Sequence, residues 1–185
     1  MPEPTDEFIL SLFNNSKTKE QAFELLLRKY QRVIYYNARR IVYSHDDAND
    51  VTQNVSIKIW RHLDKFRGES SLKTWITKIC INEALTFIEK KKKLLNLTDE
   101  SYLDFMLVTQ PETNFIPSSE IENILQREIL KLPPKQRAVF TMRYYDETPY
   151  AEMSKIFDTS ESALKASYHF AMEKIKKNIS EHLTF

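Results

Sequence analysis

The chain is 185 residues long, 42% hydrophobic and 29% charged, and its 27 Lys and Arg against 26 Asp and Glu leave a net charge of +1. It is long enough to bury one core or two small ones. The single glycine, Gly68, excludes phosphate-cradling glycine loops and a sheet fold built on tight glycine hairpins, and the single cysteine, Cys80, excludes an internal disulfide and a multi-cysteine zinc site. The start, Met1 to Glu7, is acidic with no apolar signal core. No run approaches the roughly 18 apolar residues of a membrane span. An all-α, cytoplasmic protein without membrane insertion is expected.

The near-neutral total hides a split. Residues 1–93 carry 17 basic and 12 acidic side chains, residues 94–126 carry six acids and no Lys or Arg, and residues 127–185 carry 10 basic and eight acidic side chains. Two cationic modules around an acidic connection are expected: 1–93, a linker over 94–117, and 118–185. The linker contains Pro111 and Pro117 and shows no helical period. Its Tyr102, Leu103, Phe105, Met106 and Phe115 are too apolar for a solvated spacer. They fit either a partner surface or a loop packed on the chain's own domains.

In the first module, Phe23, Leu26, Leu27, Tyr30, Ile34 and Ile41 share one face of a helix from Lys17 to about Tyr43. Asp46 or Asp47 is positioned to cap a second helix with Ala48, Val51, Val55, Ile59 and Leu63 on its stripe. That helix stops before Phe66-Arg67-Gly68, where the glycine is suited to a left-handed turn. Ser70 or Ser71 then caps a third helix burying Leu72, Ile76, Ile79, Cys80, Ala84, Phe87 and Ile88, and running into Lys90–Lys93. Its opposite face offers Thr74, Lys78 and Asn82, with Trp75 at the edge. Aromatics beside Lys and Asn suit single-stranded nucleic acid: rings stack on bases, Asn bonds base edges and Lys holds phosphates. The competing reading makes Phe66 and Trp75 core and the lysines a solvated face.

The second module reads as a helix-turn-helix. Ser119-x-x-Glu122 is a capping box before Ile121, Ile124, Leu125 and Leu132. Pro133-Pro134 stops that helix and opens another over Lys135 to about Tyr145. Thr148 caps a short helix with Pro149 at its first position and Met153, Ile156 and Phe157 inward. Asp158-Thr159-Ser160 turns into a last helix with Leu164, Tyr168, Ala171, Ile175 and Ile179 on one side. Its outward start, Ser162, Lys165, Ala166 and His169, suits a DNA major groove, although helix pairs of this kind also occur for packing alone.

The four histidines, His45, His62, His169 and His182, fall in neither an H-E-x-x-H nor an E-x-x-H spacing. A non-enzymatic protein with no metal and no cofactor is expected.

Four stretches, in this order, resemble the extracytoplasmic-function (ECF) group of sigma-70-type RNA polymerase sigma factors. Asp46 to Trp60 is similar to the region-two helix D-A-x-D-L-V-Q-E-V-F-x-K-x-W, and Phe66 to Asn82 to F-R-G-x-S-x-x-x-T-W-L-x-x-I-A-x-N. Leu132 to Phe140 is similar to L-P-x-x-x-R-x-V-F. Tyr150 to Ser154 with Ser160 to Ala166 is similar to S-Y-x-E-I-A followed by S-x-G-T-V-K-S. The resemblance spans roughly residues 17–183. It implies two small helical domains, a sigma region-2 helical bundle and a sigma region-4 helix-turn-helix domain, joined by a linker.

It further implies core RNA polymerase, promoter DNA and an anti-sigma factor as partners. Asp50, Gln53, Asn54 and Trp60 would meet the polymerase core. Phe66, Arg67, Ser70, Ser71, Trp75, Lys78 and Asn82 would melt and read the −10 element. Ser162, Lys165, Ala166, His169 and Phe170 would read the −35 element. The acidic linker would thread the core near the RNA exit path. The chain departs from the pattern at Thr52, Asn54, Ser162 and Ala163, and has Phe170 and Met172 where two arginines are usual. A helix-turn-helix regulator acting without polymerase is the alternative reading.

Overall fold

Capping side chains and apolar stripes divide the chain into nine α-helices among the described residues, with no strand. The computed structural model describes residues 4–109 and 120–183.

α1, Asp6–Phe13, is opened by Thr5, whose hydroxyl accepts from the Phe8 amide, and it buries Ile9 and Phe13. It precedes the first helix that the sequence periodicity predicts, which starts at Lys17. Asp6 anchors it, accepting from Lys29 Nζ at 2.7 Å and from the Tyr30 hydroxyl at 2.8 Å. α2, Lys19–Val42, buries Leu26, Tyr30, Ile34 and Ile41 as the periodicity predicts. It ends at Tyr43, which adopts φ 64°.

That left-handed residue makes Ser44 the cap of α3, His45–His62: its hydroxyl accepts from the Asp47 amide. Asp46 and Asp47, expected as caps, instead lie in the first turn, where their charge still favours the helix dipole. The α3 stripe of Val51, Val55 and Ile59 is fully buried. A 3₁₀ turn, Leu63–Lys65, leads to Gly68 at φ +73°, the expected left-handed turn. Ser71 caps α4, Leu72–Leu94, accepting from the Thr74 amide at 3.0 Å.

The linker span holds a helix, contrary to the absence of period noted above. α5, Asp99–Thr109, is opened by a reciprocal cap: the Ser101 amide donates to Thr98 Oγ1 and the Thr98 amide to Ser101 Oγ. Tyr102 and Met106, one turn apart, are buried against the chain's own core. Of the two readings of this apolar segment, the residues up to 109 follow the packed one, but as a helix. Pro111, Phe115, Pro117 and the expected cap Ser119 lie outside the described residues.

In the second module come α6 (Glu120–Leu130), α7 (Pro134–Tyr144), α8 (Tyr150–Phe157) and α9 (Glu161–Leu183). Pro133, not a side-chain cap, precedes α7, and Pro149 sits one position earlier than expected, as the N-cap of α8. Asp158 ends α8 at φ 49°. Phe140 stacks on Tyr144 at 5.2 Å and on Tyr168 at 5.6 Å, above Leu132, Ala171 and Ile175.

Beside that small cluster of the second module, the two modules share a larger core. Buried side chains from α2, α3 and α4 join Ala138, Val139, Met142, Met153 and Ile156 in one apolar cluster. α4 packs on α8, and α2 on α7. Arg137, 4% exposed, bridges the seam: Nη1 donates to the Ile41 carbonyl at 2.8 Å, and Nη2 to the carbonyls of Leu130 and Leu132. Thr74, expected on an exposed face, is buried because α8 covers it.

Candidate nucleic-acid and polymerase interfaces

α3 turns its buried stripe inward, so its other side is a surface. Asp50, Gln53 and Asn54 are exposed there. Ile57, one turn further on, is 44% exposed. Ile57 is a surface residue beyond those expected from the sequence; its signal there is an isoleucine outside the Val51/Val55/Ile59 stripe, on the same side as two amides. Asn54 is held from behind, its Nδ2 donating to Glu83 Oε1 at 3.1 Å. Glu83 is buried, and its second oxygen pairs with Lys58. A glutamate at position 54 would face this carboxylate, which accounts for the amide there. Trp60 points inward: it packs edge-on to Phe13 at 5.8 Å and Phe23 at 5.0 Å, with Lys19 over its ring. It is half-buried and fixes α3 against α1 and α2.

The second surface runs from the loop after α3 along α4. Arg67 and Ser71 are exposed, and Ser70 is half-buried. Phe66 and Trp75 are half-buried as a pair, ring centroids 5.5 Å apart and tilted by 59°. Neither alternative for these rings holds alone: each packs on the core and keeps an outer side. Asn82 is exposed, and Lys90 and Lys93 extend the positive charge at the end of α4. Lys91 and Lys92 are taken by Asp47 and Asp99.

Two residues of this face are engaged by the second module. Lys78 Nζ lies 2.6 Å from Asp158 Oδ1, and the Thr74 hydroxyl donates to Glu152 Oε1 at 2.9 Å. Beneath them Cys80 is fully buried, and burial pushes its thiol from 9.0 up to about 12.

The third surface is the start of α9. Ser160 caps it, accepting from the Ala163 amide at 3.3 Å. Ser162, Lys165, Ala166 and His169 are all exposed, and Phe170 is 66% exposed, so this helix presents an unburied aromatic side chain. Lys165 Nζ sits 5.6 Å from the Tyr150 ring centroid and 3.9 Å from Glu161. The face therefore offers one cation, two hydrogen-bonding groups and two apolar groups. Among the described residues no cluster of His, Cys, Asp or Glu is arranged to hold a metal ion, and no helix is long and apolar enough to cross a membrane.

Two models of known families match the chain. Residues 26–94 match the model of sigma-70 region 2, and residues 122–175 that of sigma-70 region 4. The ECF RNA polymerase sigma-E factor of Escherichia coli (strain K12) is 29% identical over 172 residues, covering 88% of this chain and 89% of that protein. The ECF RNA polymerase sigma factor SigW of Bacillus subtilis (strain 168) is 26% identical over 173 residues, covering 89% and 92%.

Among solved structures, the sigma factor RpoE in complex with the anti-sigma factor NepR, from Bartonella quintana, superposes with a TM-score of 0.65. That match has 17% identity and covers 85% of this chain and 96% of that one. CnrH in complex with the cytosolic domain of CnrY gives 0.64 at 17% identity, over 95% and 97%. At such identities these two show likeness of fold. With both region models matched in order along one helical chain, and with ECF relatives aligned over nearly nine-tenths of it, the protein belongs to the ECF sigma factors of the sigma-70 family, which are non-enzymatic transcription initiation factors.

Proposed function

We propose that this sigma factor docks on core RNA polymerase through α3, captures and melts the −10 element with residues 66–82, and reads the −35 element with the start of α9. The observation that carries this reading is the separation of faces on one bundle. Asp50, Gln53, Asn54 and Ile57 form an exposed acidic, amide and apolar strip that has no use in holding DNA phosphates. Phe66, Arg67, Ser70, Ser71, Trp75, Lys78 and Asn82 form an aromatic, hydroxyl and cationic one that does. On the first strip Asp50 meets a basic element of the core, and Trp60 keeps α3 in register for that contact.

On the second strip the loop around Gly68 receives a base taken out of the stack, at a cost of about a few kcal/mol. Phe66 and Trp75 offer ring surface beside it, Asn82 bonds a base edge and Lys78 holds a phosphate. On α9, Lys165 and His169 bond in the groove. Ala166 and Phe170 touch thymine methyls or sugars, and Ser162 binds a phosphate at the helix start. The acidic linker threads the core once the chain is bound. Because two solved relatives of like fold were captured with NepR and CnrY, an anti-sigma factor is proposed as a further partner.

The test is transcription in vitro by purified core polymerase on fragmented genomic DNA, with and without this chain. Discrete new start sites, each preceded by shared −35 and −10 sequences, are expected. Absence of both core association and new transcripts would sink the reading. Duplex binding without core association would favour the alternative, a regulator acting alone.

A further inference from the structure

Resting on the docking role proposed for α3, we propose that Glu83 is a positioning residue for polymerase binding. From its buried place on α4 it holds Asn54 and Lys58 so that Asn54 turns an acceptor, and not a donor, toward a basic partner. Positions 54 and 83 are then one coupled choice. Glu83 follows Asn82 on α4 but serves the other side of the helix, and it is 6% exposed. A carboxylate buried this far needs donors for both oxygens. α3 supplies them: Asn54 Nδ2 donates to Oε1 at 3.1 Å, and Lys58 Nζ pairs with Oε2.

The chemistry of that pairing fixes the amide. A carboxylate paired with lysine only accepts, so Asn54 must present its nitrogen to Glu83, which leaves its carbonyl Oδ1 for a partner. Asn54 is exposed, as are Asp50 and Gln53, so this oxygen joins the Asp50 carboxylate on the outer strip. Lys58, one turn beyond Asn54, would repel a basic partner if it stood free. Its charge is offset by the carboxylate behind it.

Glutamine in place of Glu83 keeps the shape and reverses the amide. Lys58 only donates, so the new side chain gives it the oxygen and turns its own nitrogen to Asn54. Asn54 must then flip, and its Nδ2 faces the basic partner. Asn54→Glu fails for a different reason: two carboxylates face each other between the helices and repel. With both changes made together, the introduced carboxylate accepts from the introduced amide and keeps its second oxygen outward.

The test is a double-variant cycle on the full chain titrated against purified core polymerase, under conditions where circular dichroism shows every variant folded. A change in stability alone then moves none of the affinities. Glu83→Gln and Asn54→Glu should each weaken association about tenfold, the scale of one charge-assisted hydrogen bond. The double variant should return to within about threefold of the wild type. If Glu83 served packing only, the two losses would multiply, to about a hundredfold.

Asn54→Glu changes only the surface, so its loss is read even where the interior substitution does not fold. Wild-type or tighter binding in either single variant, or losses that multiply in the double, overturns the proposal. Asp50→Lys in the same titration separates the two readings. If it still weakens association, α3 remains the docking face and only the role of Glu83 is lost; if it does not, the docking face is lost as well.

Discussion

Asn82 and Lys78 lie one turn apart on α4 yet are not equivalent. Asn82 is exposed, whereas Lys78 is already paired with Asp158. Asn82→Ala removes only a base contact, so it should weaken open-complex formation by about 1–3 kcal/mol and leave core binding unchanged. Permanganate footprinting of the melted strand, beside a core pulldown, checks this. Normal melting with poor core binding would show the face wrongly assigned. Cys80 makes a second test at this scale. Its thiol donates to the Ile34 carbonyl at 3.3 Å, and burial lifts it from 9.0 to about 12. Between those values the folded chain keeps a proton that the unfolded chain releases. This contribution to stability is therefore complete below 9.0 and is lost as pH rises toward 12. Cys80→Ala should flatten the fall in the urea midpoint across that window. At about pH 8 the native thiol should resist alkylation and react on unfolding.

At the scale of the element, α3 carries two jobs on opposite faces. The inner face holds the bundle through Val51, Val55, Ile59 and Trp60, and the outer presents Asp50, Gln53, Asn54 and Ile57. Asp50→Lys touches only the outer face. It should leave far-UV circular dichroism unchanged and weaken core association more than about a hundredfold, because a like-charge contact costs several kcal/mol. Wild-type affinity for core would remove that assignment. α9 is the contrasting element. From Ser160 to Ile175 it has Lys165 and Lys174 against Glu161 and Glu173. Each phosphate neutralised adds about −0.9 to the salt slope on duplex DNA, so few such contacts are available. Binding of the chain to −35 duplex in the absence of core should be weak and shallow in salt. A steep slope with nanomolar affinity would reveal cations elsewhere on the second domain.

For the molecule as a whole, Arg137 is the residue on which both domains converge. Its guanidinium serves carbonyls of Ile41 in the first domain and of Leu130 and Leu132 in the second. Arg137→Met fills much of the volume but leaves three carbonyls without that donor. The variant should lose about 2–4 kcal/mol of stability, the scale of several charge-assisted hydrogen bonds partly offset by apolar burial. Urea unfolding measures it. Because one of the bonds crosses the seam, the same change should also favour separation of the domains. A destabilised variant that stays closed would confine Arg137 to the second domain.

Periodicity and capping chemistry are local properties, so the sequence alone settled the helical class, the α2, α3 and α4 stripes, the turn at Gly68 and the helix pair before and after Asp158, and it narrowed the α4 cap to Ser70 or Ser71. The four motifs, in their order, were enough to name the family. What it left open were the contacts made across the chain. α1 is only eight residues, and Asp6 finds Lys29 and Tyr30 only once α2 is in place. α5 was hidden among acids because its two buried residues, Tyr102 and Met106, need the core of the other helices to bury them. The exposed face of α4 was legible as a pattern of Thr, Lys and Asn. That α8 lies over part of it was not, because Thr74 and Glu152 are 78 residues apart and Lys78 and Asp158 are 80. Spacing of 3.6 residues per turn says which side of a helix faces out. Only the packing of one domain on another decides what it faces.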